Sequence, residues 1–384
     1  MLVSVRMFSP CPQKEICGSC SWSHIPYETQ LKQKLSDING SFGLKKLNLR
    51  CETILPSPKT SHYRNRMDFA IDFQGRVGLK EKGKWWKVID GHACFLADEK
   101  IDALFTLVRD WAKTCGLSFW DRKAHTGLLR YAVIRCSSLG ETMITIVTSV
   151  PTPEENTQRV RSDMLQLAES TGATTTIWSQ NSTITDVSFG DHLEVMTGPG
   201  YVMEEINGVK YRISPQAFFQ TNSFAAPILM NTVREFCGDL SQKTLLDLYC
   251  GTGFFATALG ESAKNTFGVE ISKDAIVDAM VNANLNGVTI DYHEAKTEDF
   301  DWSTFGANVV ILDPPRSGMH DKALQDVLRV KPETIVYVSC NPKNFAREMV
   351  LLQQYYRVDQ MRAIDLFPHT PHVELVSKLV ARIK

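Results

Sequence analysis

The sequence predicts an α/β protein built from two parts. In the C-terminal part, residues 210–384, apolar runs alternate with amphipathic ones, which is typical of a doubly wound, mostly parallel sheet. The last two strand-like runs predict a terminal antiparallel hairpin. In the N-terminal part, residues 1–209, short alternating runs separated by Gly, Pro and Ser predict an α+β domain with a mainly antiparallel sheet.

Local patterns predict the elements of the N-terminal part. Residues 23–39 predict a helix, and the segment of about 23–50 could pack on the C-terminal domain. Residues 66–73, 131–136 and 142–149 predict strands, because apolar and polar side chains alternate in them.

Strands and helices follow one another in the C-terminal part. The predicted strands cover residues 244–249, 265–270, 288–292, 308–313 and 334–339, and two more follow residue 355. Predicted helices precede or separate them, the first at 224–236. Parallel strands joined in this way end at one edge of the sheet, where open α/β sheets bind ligands.

Composition and charge narrow the class of protein. No run approaches 18 apolar residues, and the N-terminus is too short and broken for a secretory signal, so a cytoplasmic protein that does not enter a membrane is predicted. Residues 1–90 carry 15 Lys and Arg against 8 Asp and Glu, whereas residues 91–384 carry 27 against 35. This asymmetry favours a polyanion docking on the N-terminal part, although a solvated lysine-rich surface is equally compatible.

A glycine turn follows the first strand of the C-terminal part, in LLDLYCGTGFFATALG. Gly251 and Gly253 would let a ligand approach the backbone, and Glu270 at the end of the next strand could hold ribose hydroxyls. A dinucleotide fold is the competing interpretation, but Ala256 stands where its third glycine is usual. The Asp-x-x-x-Gly-x-Gly form with a C-terminal hairpin resembles class I S-adenosylmethionine-dependent methyltransferases.

Two further segments place reactive side chains at strand ends. VVILDPPRSGM carries Asp313 and Arg316, which could serve a ligand or simply pair with each other. VYVSCNP places Cys340 before a predicted helix, whose N-terminus is expected to lower the pKa of the thiol. A core cysteine is the alternative for Cys340. In LFPHTPHVEL, Glu374 could act as a general base.

Cysteines cluster near the N-terminus. Cys11, Cys17 and Cys20 lie within ten residues, and Cys94 could be a fourth ligand. A cytoplasmic chain would keep these thiols reduced, so a metal site is favoured over disulfides. The spacing by itself leaves a zinc site and an iron–sulfur cluster equally open.

Together, these motifs resemble the RNA uracil-C5 methyltransferases, the family that makes 5-methyluridine in 23S rRNA and tRNA. The resemblance spans most of the chain and rests on CxxxxxCxxC, YRNRMDF, SPQAFFQTN, DLYCGTG, GVE, LDPPR, VYVSCNP and FPHTPHVE. It implies that Cys340 is the nucleophile and Glu374 the base, with Arg316 catalytic or substrate-holding. The implied S-adenosylmethionine contacts are Gln220, Tyr249, Glu270 and Asp313. The iron–sulfur branch of the family implies a [4Fe–4S] cluster held by Cys11, Cys17, Cys20 and Cys94.

The resemblance also carries departures. Phe254 stands where relatives often have Asn or another residue after the Gly-x-Gly turn, and Ala295 replaces a frequent Asn. Both departures could alter cofactor contacts. Only ten residues precede Cys11, so the N-terminal RNA-binding barrel of many relatives is expected to be missing, as in the short branch that modifies 23S rRNA.

The favoured function is therefore uridine-C5 methylation of 23S rRNA by a monomer. The alternatives are the same chemistry on tRNA and a non-catalytic iron–sulfur RNA-binding protein. Cytosine-C5 methylation is disfavoured, because Asp313-Pro-Pro lacks the Pro-Cys of those enzymes. Lysines and arginines in 45–87, with Tyr63, Trp85 and Trp86, are candidate RNA contacts, and one of the two tryptophans is expected in the core.

Overall fold

The computed structural model describes residues 11–91, 94–152 and 156–382. Residues 1–10, on which the argument against a secretory signal depends, lie outside them. In the described part of the chain, no helix is both long and apolar enough to cross a membrane.

Helices and strands alternate along the chain. The α-helices are α1 (Tyr27–Leu44), α2 (Glu99–Thr114), α3 (Thr157–Thr171), α4 (Ala226–Cys237), α5 (Phe254–Gly260), α6 (Lys273–Leu285), α7 (Asp321–Val330) and α8 (Pro342–Leu352). The first strands are β1 (Ile54–Leu55), β2 (Arg66–Ile71), β3 (Val77–Glu81), β4 (Lys84–Asp90), β5 (Leu129–Cys136), β6 (Thr142–Ser149), β7 (Thr175–Asn181), β8 (His192–Thr197), β9 (Val202–Ile206) and β10 (Val209–Ile213). The later strands are β11 (Thr244–Leu248), β12 (Asn265–Glu270), β13 (Asp291–Glu294), β14 (Val309–Leu312), β15 (Thr334–Ser339), β16 (Tyr356–Ile364) and β17 (Glu374–Ala381).

The chain packs as two compact units. The first contains Met1–Ile25, Thr60–Glu204 and Ile213–Gln216, and the second contains Pro26–Lys59, Glu205–Arg212 and Ala217–Lys384. The second unit therefore takes a segment from near the N-terminus, which includes α1 and β1.

The first unit is built on a seven-stranded sheet in the order β4-β3-β2-β5-β6-β7-β8. Neighbouring strands are antiparallel except β6 and β7, which are parallel and joined through α3. Apolar side chains of the sheet and of α2 and α3 form one core, which also contains the cysteines at 11, 17, 20 and 94. Tyr63 is 1% exposed in this core, so it is not available for base stacking.

The second unit is built on an eight-stranded sheet in the order β1-β16-β17-β15-β14-β11-β12-β13. From β13 to β15 the neighbours are parallel, whereas β17 runs antiparallel to both β15 and β16. The two sheets confirm the predicted α/β fold class, with a mainly parallel sheet that ends in an antiparallel hairpin and a mainly antiparallel second sheet. The strand predicted at 288–292 instead spans Asp291–Glu294, because Val288 still belongs to the turn that ends α6 and donates its backbone N–H to the Ala283 carbonyl.

Helix α1 belongs to the core of the second unit. Ile38 and Phe42 are fully buried there, and the Phe42 ring packs edge-on against Phe345 of α8 with centroids 6.1 Å apart. Nearby, Lys34 is buried with Asp365, which follows β16, and their Nζ and Oδ1 atoms are 2.6 Å apart. A buried ion pair of this kind strongly constrains where the helix can pack.

Candidate active site

The glycine turn lies at the carboxyl end of β11 in the second unit. Tyr249 begins it in the left-handed region with φ 64°, and Gly251 and Gly253 follow with φ 53° and 78°. The Glu270 carboxylate at the end of β12 accepts the Gly251 backbone N–H at 3.1 Å and that of Ser272 at 2.8 Å. This turn brings bare backbone beside a carboxylate, as the Gly-x-Gly pattern predicts.

Three carboxyl groups converge at the ends of adjacent strands β12, β11 and β14. Asp247 is fully buried, and its Oδ2 accepts the Ala256 backbone N–H at 3.0 Å. Burial, and then the charges of Asp313 and Glu270, hold the pKa of Asp247 well above its ordinary value. Burial likewise raises the pKa of Asp313 to about 7. This edge of the sheet is therefore suited to a cationic or hydrogen-bond-donating ligand.

Cys340 lies half-buried between β15 and α8, at the same edge of the sheet. Burial, and then the neighbouring carboxyl groups of Glu374 and Asp313, raises the pKa of its thiol to about 12. The expected lowering by the helix N-terminus is thus outweighed. Burial, followed by Asp313, also raises the pKa of Glu374 well above its ordinary value. Glu374 is the first residue of β17 and is 7% exposed.

Arg316 is the cation that acts on both groups. Its charge lowers the pKa of Cys340 and of Glu374, against the larger effects of burial. The guanidinium is exposed and lies 2.9 Å from Nδ1 of His372, so its hydrogen bond goes to His372 and not to Asp313.

The loop that carries Arg316 is fastened to α8. Asn341 and Asn344 both donate side-chain N–H groups to the Arg316 carbonyl, at 3.1 and 2.6 Å. Glu348, 1% exposed, accepts the Met319 backbone N–H at 3.0 Å and the Tyr337 hydroxyl at 2.6 Å. The same helix that follows Cys340 therefore positions the arginine.

A second set of contacts fastens the loop before Glu374 to α1. Lys34 donates to the Phe367 carbonyl at 3.1 Å, in addition to its ion pair with Asp365. Gln30 accepts the His369 backbone N–H at 2.8 Å, and its amide lies 3.0 Å from His369 Nδ1. His369 has φ 65°, a conformation that these contacts hold in place.

Asn222 completes the support of this loop. Its Nδ2 donates to the Leu366 carbonyl at 2.9 Å and to Ser57 Oγ at 3.2 Å. Its Oδ1 accepts the backbone N–H groups of Phe224 and Ala225, both at 3.1 Å. Sequence reasoning chose Gln220 from the same FFQTN motif and overlooked Asn222.

The predicted site residues fall into three groups. The structure brings Cys340, Glu374, Asp313 and Arg316 into one electrostatic cluster. Tyr249 and Glu270 lie at the glycine turn, and Gln220 is buried in the segment that leads to α4. The supporting residues that sequence reasoning missed are Gln30, Lys34, Asn222, Asn344, Glu348 and Asp365. Asn341 also supports the site, and it differs from these six residues in having a local sequence signal. An Asn before Pro is a typical helix N-cap, and the Asn341 side chain accepts the Lys343 backbone N–H.

The two departures from the family pattern have structural positions. Phe254 is 7% exposed in an aromatic cluster, with ring centroids 5.5 Å from Tyr211 and from Phe219. Ala295 donates its backbone N–H to the Glu270 carbonyl at 2.9 Å and packs against the core. Phe254 therefore packs in the interior behind the glycine turn.

The four candidate cluster cysteines are buried in the core of the first unit, each at most 4% exposed. Burial, then the charges of Cys11 and Cys94, raises the pKa of Cys20 to about 12. Burial raises that of Cys94 to about 11, with smaller contributions from Cys17 and Cys11. The thiols thus act on one another electrostatically. Within residues 11–91, 94–152 and 156–382, however, no group of three or more His, Cys, Asp or Glu side chains is arranged to hold a metal ion.

Comparison with known proteins decides the family. The family model described as tRNA (Uracil-5-)-methyltransferase matches residues 195–295 and 291–382. An uncharacterized RNA methyltransferase of Caldanaerobacter subterraneus subsp. tengcongensis is 38% identical over 97% of this chain and 84% of its own length. The chain belongs to the RNA uracil-C5 methyltransferase family.

Members of this family with a named substrate are also similar to the chain. The tRNA (uracil(54)-C(5))-methyltransferase of Pyrococcus horikoshii is 35% identical over 98% of this chain and 86% of its own length. The crystal structure of Pyrococcus abyssi tRNA (uracil-54, C5)-methyltransferase in complex with S-adenosyl-L-homocysteine has 33% sequence identity and a TM-score of 0.79, covering 95% of this chain and 86% of the other. These relatives are named for tRNA, whereas the short N-terminus had favoured 23S rRNA as the substrate.

Proposed function

We propose that this protein methylates C5 of a uridine in tRNA, with S-adenosylmethionine as methyl donor. The observation that carries the proposal is the cluster of Cys340, Glu374, Asp313 and Arg316 at the carboxyl edge of the parallel sheet. It brings together a thiol that would act as nucleophile, a carboxyl group that would act as base and a guanidinium cation, in a member of the RNA uracil-C5 methyltransferase family.

The residues at the glycine turn suit the methyl donor. S-adenosylmethionine supplies an electrophilic methyl group on a sulfonium cation. Glu270 is proposed to hold the ribose hydroxyls of the donor, and Tyr249, Gln220 and Asp313 are the other proposed contacts. The convergence of Asp247, Asp313 and Glu270 favours a cation, because the pKa of Asp247 is raised by burial and then by the charges of the other two carboxyl groups, and a positive ligand would relieve that repulsion. The related P. abyssi structure contains S-adenosyl-L-homocysteine, which supports this assignment.

Covalent catalysis follows from the chemistry of uracil, whose C5 is a poor nucleophile. The Cys340 thiolate adds to C6, and the electrons of the C5–C6 double bond move towards C5. C5 then bonds to the methyl carbon as the bond from that carbon to the donor sulfur breaks, and S-adenosylhomocysteine leaves. The Glu374 carboxylate next removes the C5 proton. The double bond re-forms, the bond from C6 to sulfur breaks, and Cys340 leaves as a thiolate.

Arg316 supports the ionised forms that these steps need. Burial raises the pKa values of both Cys340 and Glu374, which favours the neutral thiol and opposes ionisation of the carboxyl group. The positive charge of Arg316 opposes both shifts. We infer that Arg316 helps Cys340 to ionise and Glu374 to act as a base once substrate is bound.

tRNA is the proposed substrate because the relatives with a stated substrate are named for uracil 54 of tRNA. A uridine must also be out of its stack to meet Cys340, which suits an RNA loop. Mapping 5-methyluridine by mass spectrometry, in tRNA and in 23S rRNA from cells with and without the gene, tests the choice. Loss of the modified nucleoside from 23S rRNA alone would contradict it.

The proposed chemistry has its own test with purified protein and unmodified tRNA. Cys340→Ala should abolish transfer of tritiated methyl groups and covalent capture of 5-fluorouridine tRNA. Glu374→Gln should instead accumulate the covalent adduct, because the C5 proton stays in place. Methyl transfer by Cys340→Ala would contradict the mechanism, and transfer by the wild type excludes a non-catalytic RNA-binding protein.

We further propose a [4Fe–4S] cluster on Cys11, Cys17, Cys20 and Cys94. Four buried thiols that interact electrostatically are a suitable donor set, and the Arg64 guanidinium interacts with Cys94 and Cys20. The described arrangement does not surround a metal ion, so these thiols would have to close on the cluster.

The absorption spectrum and metal content of anaerobically purified protein distinguish an iron–sulfur cluster from a zinc site. A brown protein with absorption near 400 nm and about four irons per chain is expected for this cluster, by the general chemistry of such centres. A colourless protein with one zinc would exclude the iron–sulfur assignment, and Cys20→Ser should lose the iron while Cys115→Ser keeps it.

A further inference from the structure

The hairpin of β3 and β4 in the first unit exposes two consecutive tryptophans. Trp85 is 53% exposed and Trp86 is 45% exposed, and their rings meet edge-to-face with centroids 5.7 Å apart. The expectation that one of them would be in the core is wrong. Large aromatic side chains usually bury most of their surface, so an adjacent exposed pair indicates a contact surface. We call residues 80–87 the tryptophan hairpin.

The pairing of the strands explains why both rings face solvent. Lys80 pairs with Val88, but the next residue, Glu81, pairs with Lys84. Trp85 and Trp86 therefore fall in a bulge between two paired positions, on a strand at the edge of the sheet. A bulge breaks the alternation that would otherwise turn one of two successive side chains inward.

The charges of the tryptophan hairpin favour a polyanion. Its sequence, KEKGKWWK, has four lysines and one glutamate. Glu81 forms ion pairs with both Lys84 and Lys87, and Lys80 pairs with Asp186 at 2.6 Å. One carboxylate shared by two lysines leaves positive charge beside the rings, and the exposed Lys82 adds to it at the turn. A neutral apolar partner would not require this charge.

The tip of the hairpin is held in position. The Lys82 backbone N–H donates to the Ile16 carbonyl at 2.8 Å, and Glu81 forms a β-bridge with Cys17. The rings thus project from a hairpin fastened to the cysteine-rich loop, which lowers the entropy cost of binding.

We propose that Trp85 and Trp86 form a stacking platform for unpaired bases of the RNA substrate, with the lysines of the tryptophan hairpin meeting its phosphates. Unpaired bases are specified because the faces of paired bases are covered by their neighbours within a helix. Base–aromatic stacking is independent of sequence, so the platform adds affinity to any loop presented to it. This inference rests on the proposed function, since it assumes that the RNA bound is the RNA modified.

The test measures binding of a uridine-containing RNA stem-loop and of the same stem closed as a duplex without a loop. Trp85→Ala/Trp86→Ala should raise the Kd for the stem-loop at least tenfold and change the Kd for the duplex less than twofold. Trp85→Phe/Trp86→Phe should restore most of the affinity because a ring face remains. Phe73→Ala is the matched control, since Phe73 is 52% exposed near the opposite end of β3.

Two further readouts separate stacking and charge from a loss of folding. In methylation assays the double Ala variant should raise KM at least tenfold while kcat stays within twofold. Lys82→Ala should reduce the slope of log Kd against log salt concentration by about 0.7, the value for one phosphate of a single strand. Circular dichroism should show the same melting temperature for all variants.

The outcomes distinguish this inference from the proposed function. An unchanged stem-loop Kd in the double Ala variant would overturn the platform, even if methylation proceeds. An equal loss of affinity for the stem-loop and for the duplex would also overturn the platform. So would a double Ala variant that loses affinity for a protein partner and keeps its affinity for RNA. Tryptophan-dependent RNA binding without any methyl transfer would support the platform and contradict the proposed function.

Discussion

At Cys340, the local environment opposes formation of the thiolate that the proposed mechanism requires. Burial and the neighbouring Glu374 and Asp313 carboxyl groups keep the thiol protonated at neutral pH, and Arg316 alone among the charges named at this thiol favours the thiolate. The proposed mechanism therefore requires the bound substrate and the cationic methyl donor to shift this balance of charge towards the thiolate.

Alkylation of Cys340 should therefore be slow and strongly pH-dependent. With a pKa of about 12, the ligand-free protein should react with iodoacetamide about a hundredfold or more slowly than free cysteine at pH 8. The rate should rise about tenfold for each pH unit between 7 and 9.5. Peptide mass mapping measures the site, with Cys340→Ser as the baseline.

The charge of Arg316 should set part of this rate. Arg316→Gln removes the cation that lowers the pKa of Cys340, so alkylation should slow further, whereas Arg316→Lys should stay near the wild-type rate. Faster alkylation of the Gln variant would contradict the electrostatic role of Arg316.

Asp313 should reduce stability as it ionises. Burial raises its folded-state pKa to about 7 from an ordinary value of 3.8, so the unfolded chain releases this proton first as pH rises. The free energy of unfolding should consequently fall through pH 4–7 by about 1 to 4 kcal/mol from this group. Asp313→Asn should melt at a higher temperature than the wild type, by a margin that grows from pH 4 to 7 and then levels off. A margin that does not change with pH would contradict this assignment.

At the scale of elements, the Arg316 loop depends on a glycine. Gly318 has φ +85°, and a Cβ there would overlap the Glu348 carboxylate that fastens the loop to α8. Gly318→Ala should lower the free energy of unfolding by more than the roughly 1 to 2 kcal/mol expected for backbone strain alone. Gly287→Ala is the matched control, because Gly287 has φ +67° and open space around it. Methylation should fall in the Gly318 variant only, and equal activities would show that the loop tolerates displacement.

Helix α1 should position the loop before Glu374 through its buried ion pair. Lys34→Met leaves the Asp365 carboxylate buried without its cation, which should cost about 3 to 5 kcal/mol. Lys34→Met/Asp365→Asn removes the charge as well and should recover much of that loss. Chemical denaturation measures both, and a double variant less stable than the single one would show that the ion pair is not the source of the loss.

At the scale of the whole molecule, the second unit is discontinuous in sequence. A fragment of residues 210–384 lacks α1 and β1, so it should expose the core that Ile38 and Phe42 cover and should aggregate or fold incompletely. Adding a peptide of residues 26–59 should restore a cooperative thermal transition, whereas a Phe42→Ala peptide should do so poorly. A fragment that melts cooperatively by itself would contradict this dependence.

Several features of the fold were predictable because their signals are local. Buried strands such as β11, β14 and β15 are largely apolar runs. The Gly-x-Gly turn and the Asn-Pro helix start can each be recognised from a few consecutive residues. Cys340 and Glu374 were identified by motif, and the structure places them in one electrostatic cluster. The direction of the Cys340 pKa shift was not predictable, because it depends first on burial of the thiol and then on carboxyl groups from two other strands.

The fold class, the family resemblance and the candidate catalytic residues were predictable from the amino-acid sequence, since periodicity and short motifs encode them locally. Tertiary packing was needed to show that α1 supports the loop before Glu374, because Gln30 and His369 are 339 residues apart in the chain. It alone decided that Tyr63 is buried while Trp85 and Trp86 are exposed, because burial depends on the strand register and on the elements packed above it.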